Sequence, residues 1–257
     1  NGKLVIEARE ENFAGRAYTS SRIITLNKQF FQYGRIDIRA KTPRGQGLWP
    51  ALWMLGENIS SIGWPKSGEI DIMEMVGGSG RERDVHGTAH WNRGGANASY
   101  APTNNAPYNG GPPNSYRLAA NNSLDATFHV FSLEWTENAL TWFIDNVPFN
   151  TMVIDNSVDL APFRKEFFFI FNVAVGGDWP GSPDPSTVFP QRMLVDYVRV
   201  FQKSDVVDID ADGIADDDDN CVDQANANQV DTDSDGFGNV CDDDDDNGDD
   251  DDDDDDD

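Results

Sequence analysis

Apolar and polar residues alternate with a period of two along much of this chain. In Gly34-Arg35-Ile36-Asp37-Ile38-Arg39-Ala40-Lys41 the apolar set is Ile36, Ile38 and Ala40, the signature of a half-buried strand. Leu4-Val5-Ile6 and residues 69–75, 128–135, 140–145, 166–175 and 193–201 are likewise rich in β-branched and aromatic residues. Gly, Pro and Asn clusters separate them, and Ile144-Asp145-Asn146-Val147-Pro148 reads as a tight hairpin turn. No long stretch repeats cleanly every 3.6 residues. Many short strands with turn signals predict an all-β fold, a sandwich or barrel. The Asn- and Gly-rich stretch 92–123 is long for a loop, and long loops in compact domains are often functional.

Charge divides the chain. Residues 205–257 hold 26 Asp and no Glu, Lys or Arg, out of 46 acidic and 19 basic residues in all, which leaves 20 acidic against 19 basic in residues 1–204. The net charge of −27 therefore belongs to the tail, and the body is near neutral. A neutral body with an acidic tail argues against a nucleic-acid partner, and no apolar run approaches the roughly 20 residues of a membrane helix. All seven Trp lie in the body, enough apolar matter for a sizeable core. Both cysteines, Cys221 and Cys241, lie in the Asp-rich tail, which suggests a disulfide and an oxidising, extracellular setting. The chain begins at Asn1 without Met and ends inside an Asp run, and it is read as a fragment. A monomer is expected.

Chemistry concentrates in Gly68-Glu69-Ile70-Asp71-Ile72-Met73-Glu74. Strand alternation puts Glu69 and Asp71 on one face with Ile70 and Ile72 on the other. Strict alternation would turn Glu74 to the opposite face. A single-residue bulge near Met73 would return it to the acids. Three crowded carboxyls raise at least one pKa, which is what a retaining glycosidase needs: one ionised nucleophile and one protonated acid, roughly 5–5.5 Å apart. On this reading Glu69 is the nucleophile, Glu74 the general acid/base, and Asp71 orients Glu69 and balances the proton. A solvated strand with its acids outward is the plain alternative.

The segment Glu-Ile-Asp-Ile-Met-Glu resembles the active-site signature of glycoside hydrolase family 16. With two residues between Asp and the second Glu it is similar to the bulged form found in laminarinases (endo-1,3-β-glucanases), agarases and carrageenases. Lichenases and xyloglucan transglycosylases have one residue there. Residues 33–41, 47–56, 87–91, 171–181 and 195–201 resemble further strands of the family, so the similarity spans about residues 2–202. It implies a concanavalin-like jelly-roll β-sandwich whose opening strands would precede Asn1. Asp37 stands where the family usually has Glu.

Sugars present flat, weakly apolar faces to aromatic rings and hydroxyls to a few placed polar groups. Trp64, Trp91, Trp49 and Trp53 are the candidates, with Trp179 further out. Trp49 and Trp53 share strand parity and are read as either cleft or core. The resemblance implies that Trp64 sits beside the nucleophile, and it draws His90, Arg39 and Asn27 to the cleft. The alternation Arg35, Asp37, Arg39 fits a solvated face equally well. His86 and His90 share a strand face but stand roughly 13 Å apart at about 3.3 Å per residue, which disfavours a metal between them. No cofactor is expected for catalysis.

In the tail, Asp208, Asp210, Asp212, Gly213 and Asp216 have the spacing of hard oxygen ligands around a Gly turn, and Asp231, Asp233, Asp235 and Gly236 repeat it. With Asp219-Asn220-Cys221 between and Cys241-Asp242 after, this resembles thrombospondin type-3 repeats. The resemblance implies bound calcium and a Cys221–Cys241 disulfide, with Asp219 and Asp242 among the ligands. Asp196 matches a ligand of a calcium site that the hydrolase family often carries. Three segments are expected: a catalytic domain over 1–203, an irregular calcium-binding tail over 204–242 and a disordered acidic run over 243–257. The expected activity is retaining endo-hydrolysis of β-1,3-glucosidic bonds in laminarin-type glucans by a secreted enzyme. The alternatives are a galactan hydrolase of agarase or carrageenase type and a non-catalytic, calcium-dependent carbohydrate-binding protein.

Overall fold

A computed structural model describes residues 2–101, 115–203 and 207–243. The chain forms two compact units, 1–202 and 203–257. The first is built of strands β1 Leu4–Phe13, β2 Arg16–Thr19, β3 Arg22–Ile24, β4 Gly34–Lys41, β5 Leu48–Gly56, β6 Glu69–Glu74 and β7 Asp84–Arg93, followed by β8 Ala96–Tyr100, β9 Tyr116–Arg117, β10 His129–Trp135, β11 Ala139–Ile144, β12 Val147–Val153, β13 Phe167–Val175 and β14 Gln191–Phe201. One sheet runs β12-β11-β10-β4-β14-β1-β2, the other β3-β13-β5-β6-β7-β8, with β9 beside β7. All pairings are antiparallel. This is the expected all-β jelly-roll sandwich.

The expected strands form where the pattern places them, because each has one face to bury. On β4 the buried set is Ile36, Ile38 and Ala40. The turn at Asp145-Asn146 has both residues at positive φ (50 and 64), a conformation Asp and Asn tolerate, and it closes the β11–β12 hairpin. The core between the sheets is heavily aromatic, with Phe131, Trp135, Trp142, Phe163 and Phe167 fully buried. Buried indoles need a partner for Nε1–H. Trp135 donates to the Phe163 carbonyl at 2.9 Å and Trp142 to the Asp71 carbonyl at 2.8 Å.

Parity sorts the second sheet. Core-facing residues are Leu48, Leu52 and Met54 on β5, Ile70, Ile72 and Met73 on β6, Val85, Ala89 and Trp91 on β7, and Phe169, Phe171 and Val173 on β13. The alternate residues build the opposite face of that sheet. Residues 102–114, within the long 92–123 stretch, lie outside the described residues, as do 244–257 of the terminal Asp run.

Candidate active site

Strand β6 carries the three acids, and its pairing shows how they come to one face. Against β5, Leu52 faces Met73 but Trp53 faces Asp71, so Ile72 has no opposite number. Against β7, Asp71 faces Thr88 and Glu74 faces His86, so Ile72 and Met73 together oppose only Gly87. This is a bulge at Ile72–Met73, and both bulged side chains are fully buried. The extra residue restores Glu74 to the side of Glu69 and Asp71. All three line one cleft with Trp49, Ala51, Trp53, Arg22, Asn172 and Ala174.

Each acid has its own donors. Trp64 Nε1 donates to Glu69 Oε2 at 3.1 Å, and Trp49 Nε1 donates to Glu74 Oε1 at 2.9 Å. Asp71, 2 % exposed, accepts from the Thr88 hydroxyl at Oδ2, and His90 Nε2 stands 3.4 Å from the same oxygen and 3.9 Å from Glu69 Oε1. Burial and then the negative charge of Asp71 push Glu69 up to about 8, against the lowering influence of His90, Trp64 and Arg22. Burial, again followed by the charge of Asp71, holds Glu74 well above the ordinary carboxylate range, and the Trp49 hydrogen bond works the other way. Burial disfavours the His90 cation, but the hydrogen bond and charge of Asp71 outweigh it and raise His90. Glu69 and Glu74 thus hold their protons more tightly than ordinary carboxyls do, which suits a site where one carboxyl acts as acid. Glu69, Asp71 and His90 also present ligand atoms within 4.8 Å of one another, close enough to exchange protons or to hold a cation.

Residues 1–199 match the family described as "Glycosyl hydrolases family 16". The chain belongs to glycosyl hydrolases family 16. This family 16 domain is 40% identical over 211 residues to a β-glucanase of Rhodothermus marinus, covering 78% of this chain and 68% of that one. It is 36% identical to glucan endo-1,3-β-glucosidase A1 of Niallia circulans, covering 72% of this chain but 26% of that longer protein. Its fold is similar to the laminarinase catalytic domain of Thermotoga maritima, with a TM-score of 0.68 and 44% identity over 80% of this chain and 79% of that one.

The family 16 cleft takes in some of the expected sugar-binding residues and not others. Trp49 and Trp53 both face it, and Trp53 Nε1 donates to Asn172 Oδ1 at 2.9 Å. Trp64 is 50 % exposed beside Glu69, with its ring 6.3 Å from that of His90. Trp179, 40 % exposed, packs edge-on against Trp49 at 5.1 Å and against His86 at 4.8 Å.

Three expectations are corrected. Trp91 is a core residue: it shares parity with Ala89, is buried, and packs against Phe163 at 6.0 Å, on the opposite face of β7 from His90. Arg39 lies on the other sheet, on the outward face of β4, where it pairs with Asp196 and sits over the Phe128 ring at 4.6 Å. On that face Asp196 pairs with two cations, Arg39 and Lys3. Asn27 is exposed in a left-handed turn (φ 61) after β3 and is not among the residues lining the cleft.

Arg22 and Asn172 line the cleft without having been expected there. Arg22 covers the Trp53 ring at 5.3 Å. Asn172 had a signal in its sequence: it is the lone polar residue of the apolar run Phe167–Val175. A larger apolar groove lined by Ile23, Ile24, Phe31, Phe169, Phe171 and Val198 holds no carboxyl, histidine or cysteine, and so carries no acid–base chemistry.

In the second unit the two Asp-rich loops have matching local geometry. Gly213 N donates to Asp208 and Gly236 N to Asp231, each at 3.1 Å, and both glycines have positive φ (97 and 102). Ile209 N donates to Asp216, and the corresponding Thr232 N donates to Asn239, each at 2.9 Å. Asp208, Asp210 and Asp212 present oxygens within 4.8 Å of one another, as do Asp231, Asp233 and Asp235. Asp208 Oδ1, Asp210 Oδ2 and Asp219 Oδ2 are buried with no hydrogen-bond partner. Asp219 Oδ1 accepts from Gln229 Nε2 at 2.8 Å, and Asp242 closes the second loop by donating its N–H to Gly238 O at 3.0 Å. Cys221 and Cys241 form a disulfide with Cα atoms 5.6 Å apart.

Proposed function

We propose that this chain is a secreted, retaining endo-β-1,3-glucanase acting on laminarin-type glucans. The bulge at Ile72–Met73 carries the reading, because it brings a second glutamate to the cleft of the first. Glu69 attacks the anomeric carbon while the Glu74 carboxyl protonates the departing glycosidic oxygen. This forms a glycosyl–Glu69 ester. Glu74, now a carboxylate, then takes a proton from the water that cleaves the ester. Asp71 and His90 stand beside Glu69, and His90, raised by Asp71, offers Glu69 a compensating positive charge. The exposed Trp64 and the Trp49–Trp179 pair offer rings for sugar faces on either side of the acids.

Reducing-sugar release measured on laminarin, lichenan, agarose and carrageenan tests the substrate. Release from laminarin is expected, and release from a galactan alone would overturn the glucan reading. Glu69→Ala is expected to abolish turnover and leave glucan binding intact. Persisting turnover would refute the nucleophile, and binding without turnover by the unaltered chain would favour a binding protein.

The tail is proposed to bind calcium as thrombospondin type-3-like repeats. The orphaned buried oxygens of Asp208, Asp210 and Asp219 support this, since a buried carboxylate oxygen without a donor is costly unless a cation serves it. Asp208, Asp210, Asp212 and Asp219 would hold one ion, and Asp231, Asp233 and Asp235 another. The ion's chemistry is structural: it offsets the repulsion among the aspartates.

A further inference from the structure

The bulge that delivers Glu74 breaks the hydrogen-bond ladder inside the sheet, and a second irregularity in the opposite sheet faces it. On β12, Trp142 of β11 pairs with Asn150 but Phe143 pairs with Pro148, so Phe149 is an extra residue. That slip turns both Phe149 and Asn150 inward, and the two consecutive side chains are 5 % and 8 % exposed. Trp142 and Asn150 then reach across the core to the catalytic sheet. Trp142 Nε1 donates to the Asp71 carbonyl at 2.8 Å, at the start of the bulge. Asn150 Nδ2 donates to the Gly87 carbonyl at 3.0 Å, from the one residue of β7 that opposes Ile72 and Met73. Gly87 has no side chain to obstruct them: a Cβ there would stand 2.5 Å from Trp142 Cδ1 and 2.9 Å from Phe149 Cζ.

The geometry points to Trp142 and Asn150 as positioning residues that pin the catalytic bulge from the opposite sheet and so keep Glu74 in register with Glu69. Neither lines the cleft. They bond the two backbone carbonyls that flank the irregularity, one on each strand. Without those donors a buried carbonyl is left unpaired, and the bulge is free to relax toward ordinary alternation, which points residue 74 away from the acids. The proposal rests on Glu74 being the acid/base of the reading above.

The test compares Trp142→Phe and Asn150→Ala with Trp135→Phe. Trp135 is an equally buried indole, but it donates to Phe163 on a different segment. Both positioning variants are expected to lose about ten- to hundredfold in kcat on laminarin with KM within about threefold of the unaltered chain. Trp135→Phe is expected to lose stability but to keep kcat. The second readout needs no substrate: the Glu74 carboxyl, followed by NMR of 13C-glutamate-labelled protein and assigned with Glu74→Gln, should titrate at a shifted pH in both positioning variants and unchanged in Trp135→Phe. The shift follows because a Glu74 that slips leaves both the charge of Asp71, which raises it, and the Trp49 donor, which lowers it. If Trp142→Phe does not fold, Asn150→Ala decides by the same readouts. Unshifted titration in the positioning variants, or an equal shift in Trp135→Phe, overturns the proposal. Shifted titration in a chain that does not cleave laminarin upholds the positioning role and refutes the glucanase reading.

Discussion

Trp49 of β5 donates its indole hydrogen to Glu74 Oε1 across 2.9 Å, tying the proposed acid/base to the neighbouring strand. A donor to a carboxylate favours its charged form, so Trp49 lowers a pKa that burial and Asp71 hold up. Trp49→Phe keeps a ring in place and removes the donor. Glu74 should then rise further. An acid must be protonated to act, so activity is lost as pH rises through its pKa, and the alkaline limb of kcat/KM should move to higher pH. The optimum rate should fall about tenfold, for about 1.5 kcal/mol lost with one hydrogen bond to a charged group. An unmoved alkaline limb would contradict the acid assignment.

Asp71 has the opposite leverage on Glu69. Its charge is the second cause, after burial, of the rise to about 8. Asp71→Asn removes that charge, so Glu69 should ionise at lower pH. A nucleophile must be ionised, so the acid limb of the rate profile should move to lower pH. The maximal rate should nevertheless drop, because the carboxylate that orients His90 and accepts from Thr88 is gone. A pH–rate series on the variant checks the sign.

Gly87→Ala places a methyl into the Trp142 and Phe149 rings at 2.5 and 2.9 Å. Overpacking of this kind costs about 1–3 kcal/mol. Calorimetry should show Tm lower by several degrees, and kcat should fall with it because the displaced ring carries the Asp71 contact. An unchanged Tm would show that the rings yield freely.

Arg39 and Arg22 separate the two sheets in function. Arg39→Ala breaks a partly exposed ion pair with Asp196 on the first sheet, and should change stability by less than about 1 kcal/mol and leave kcat/KM within about twofold. Arg22→Ala uncovers Trp53 in the cleft and should raise KM severalfold on laminarin oligosaccharides. The reverse pattern would mean that the cleft is misplaced.

Calcium titration of the full chain should change its far-ultraviolet circular dichroism, and a chelator should reverse the change. Asp210→Asn, in the first Asp-rich loop, should weaken the response. Desolvation first holds the Asp210 carboxyl above its ordinary range, which a bound cation would relieve. A flat titration would refute the calcium reading.

The strand pattern, the acids and the charged tail were legible along the chain because they follow from local rules. Side-chain alternation puts Glu69 and Asp71 on one face wherever that segment is a strand, and an Asp-rich segment with few apolar residues has little to bury in a core. Glu74 was different. Its face depends on whether Ile72 and Met73 share one partner on β7, and that pairing belongs to the sheet and to the donors Trp142 and Asn150 from the opposite one. Tryptophans divide in the same way. Trp49, Trp53 and Trp91 sit on strands where both faces are covered by side chains, so apolarity says nothing of direction, and only the pairing sends the first two to the cleft and Trp91 to the core. Arg39 alternates as an outward residue should, but which sheet its strand joins is decided by pairing with β10 and β14, distant in sequence. The sequence alone determined which residues carry charge and which strand holds the acids. The tertiary structure decided which of them meet, because register, bulges and sheet order are set by contacts between residues far apart along the chain.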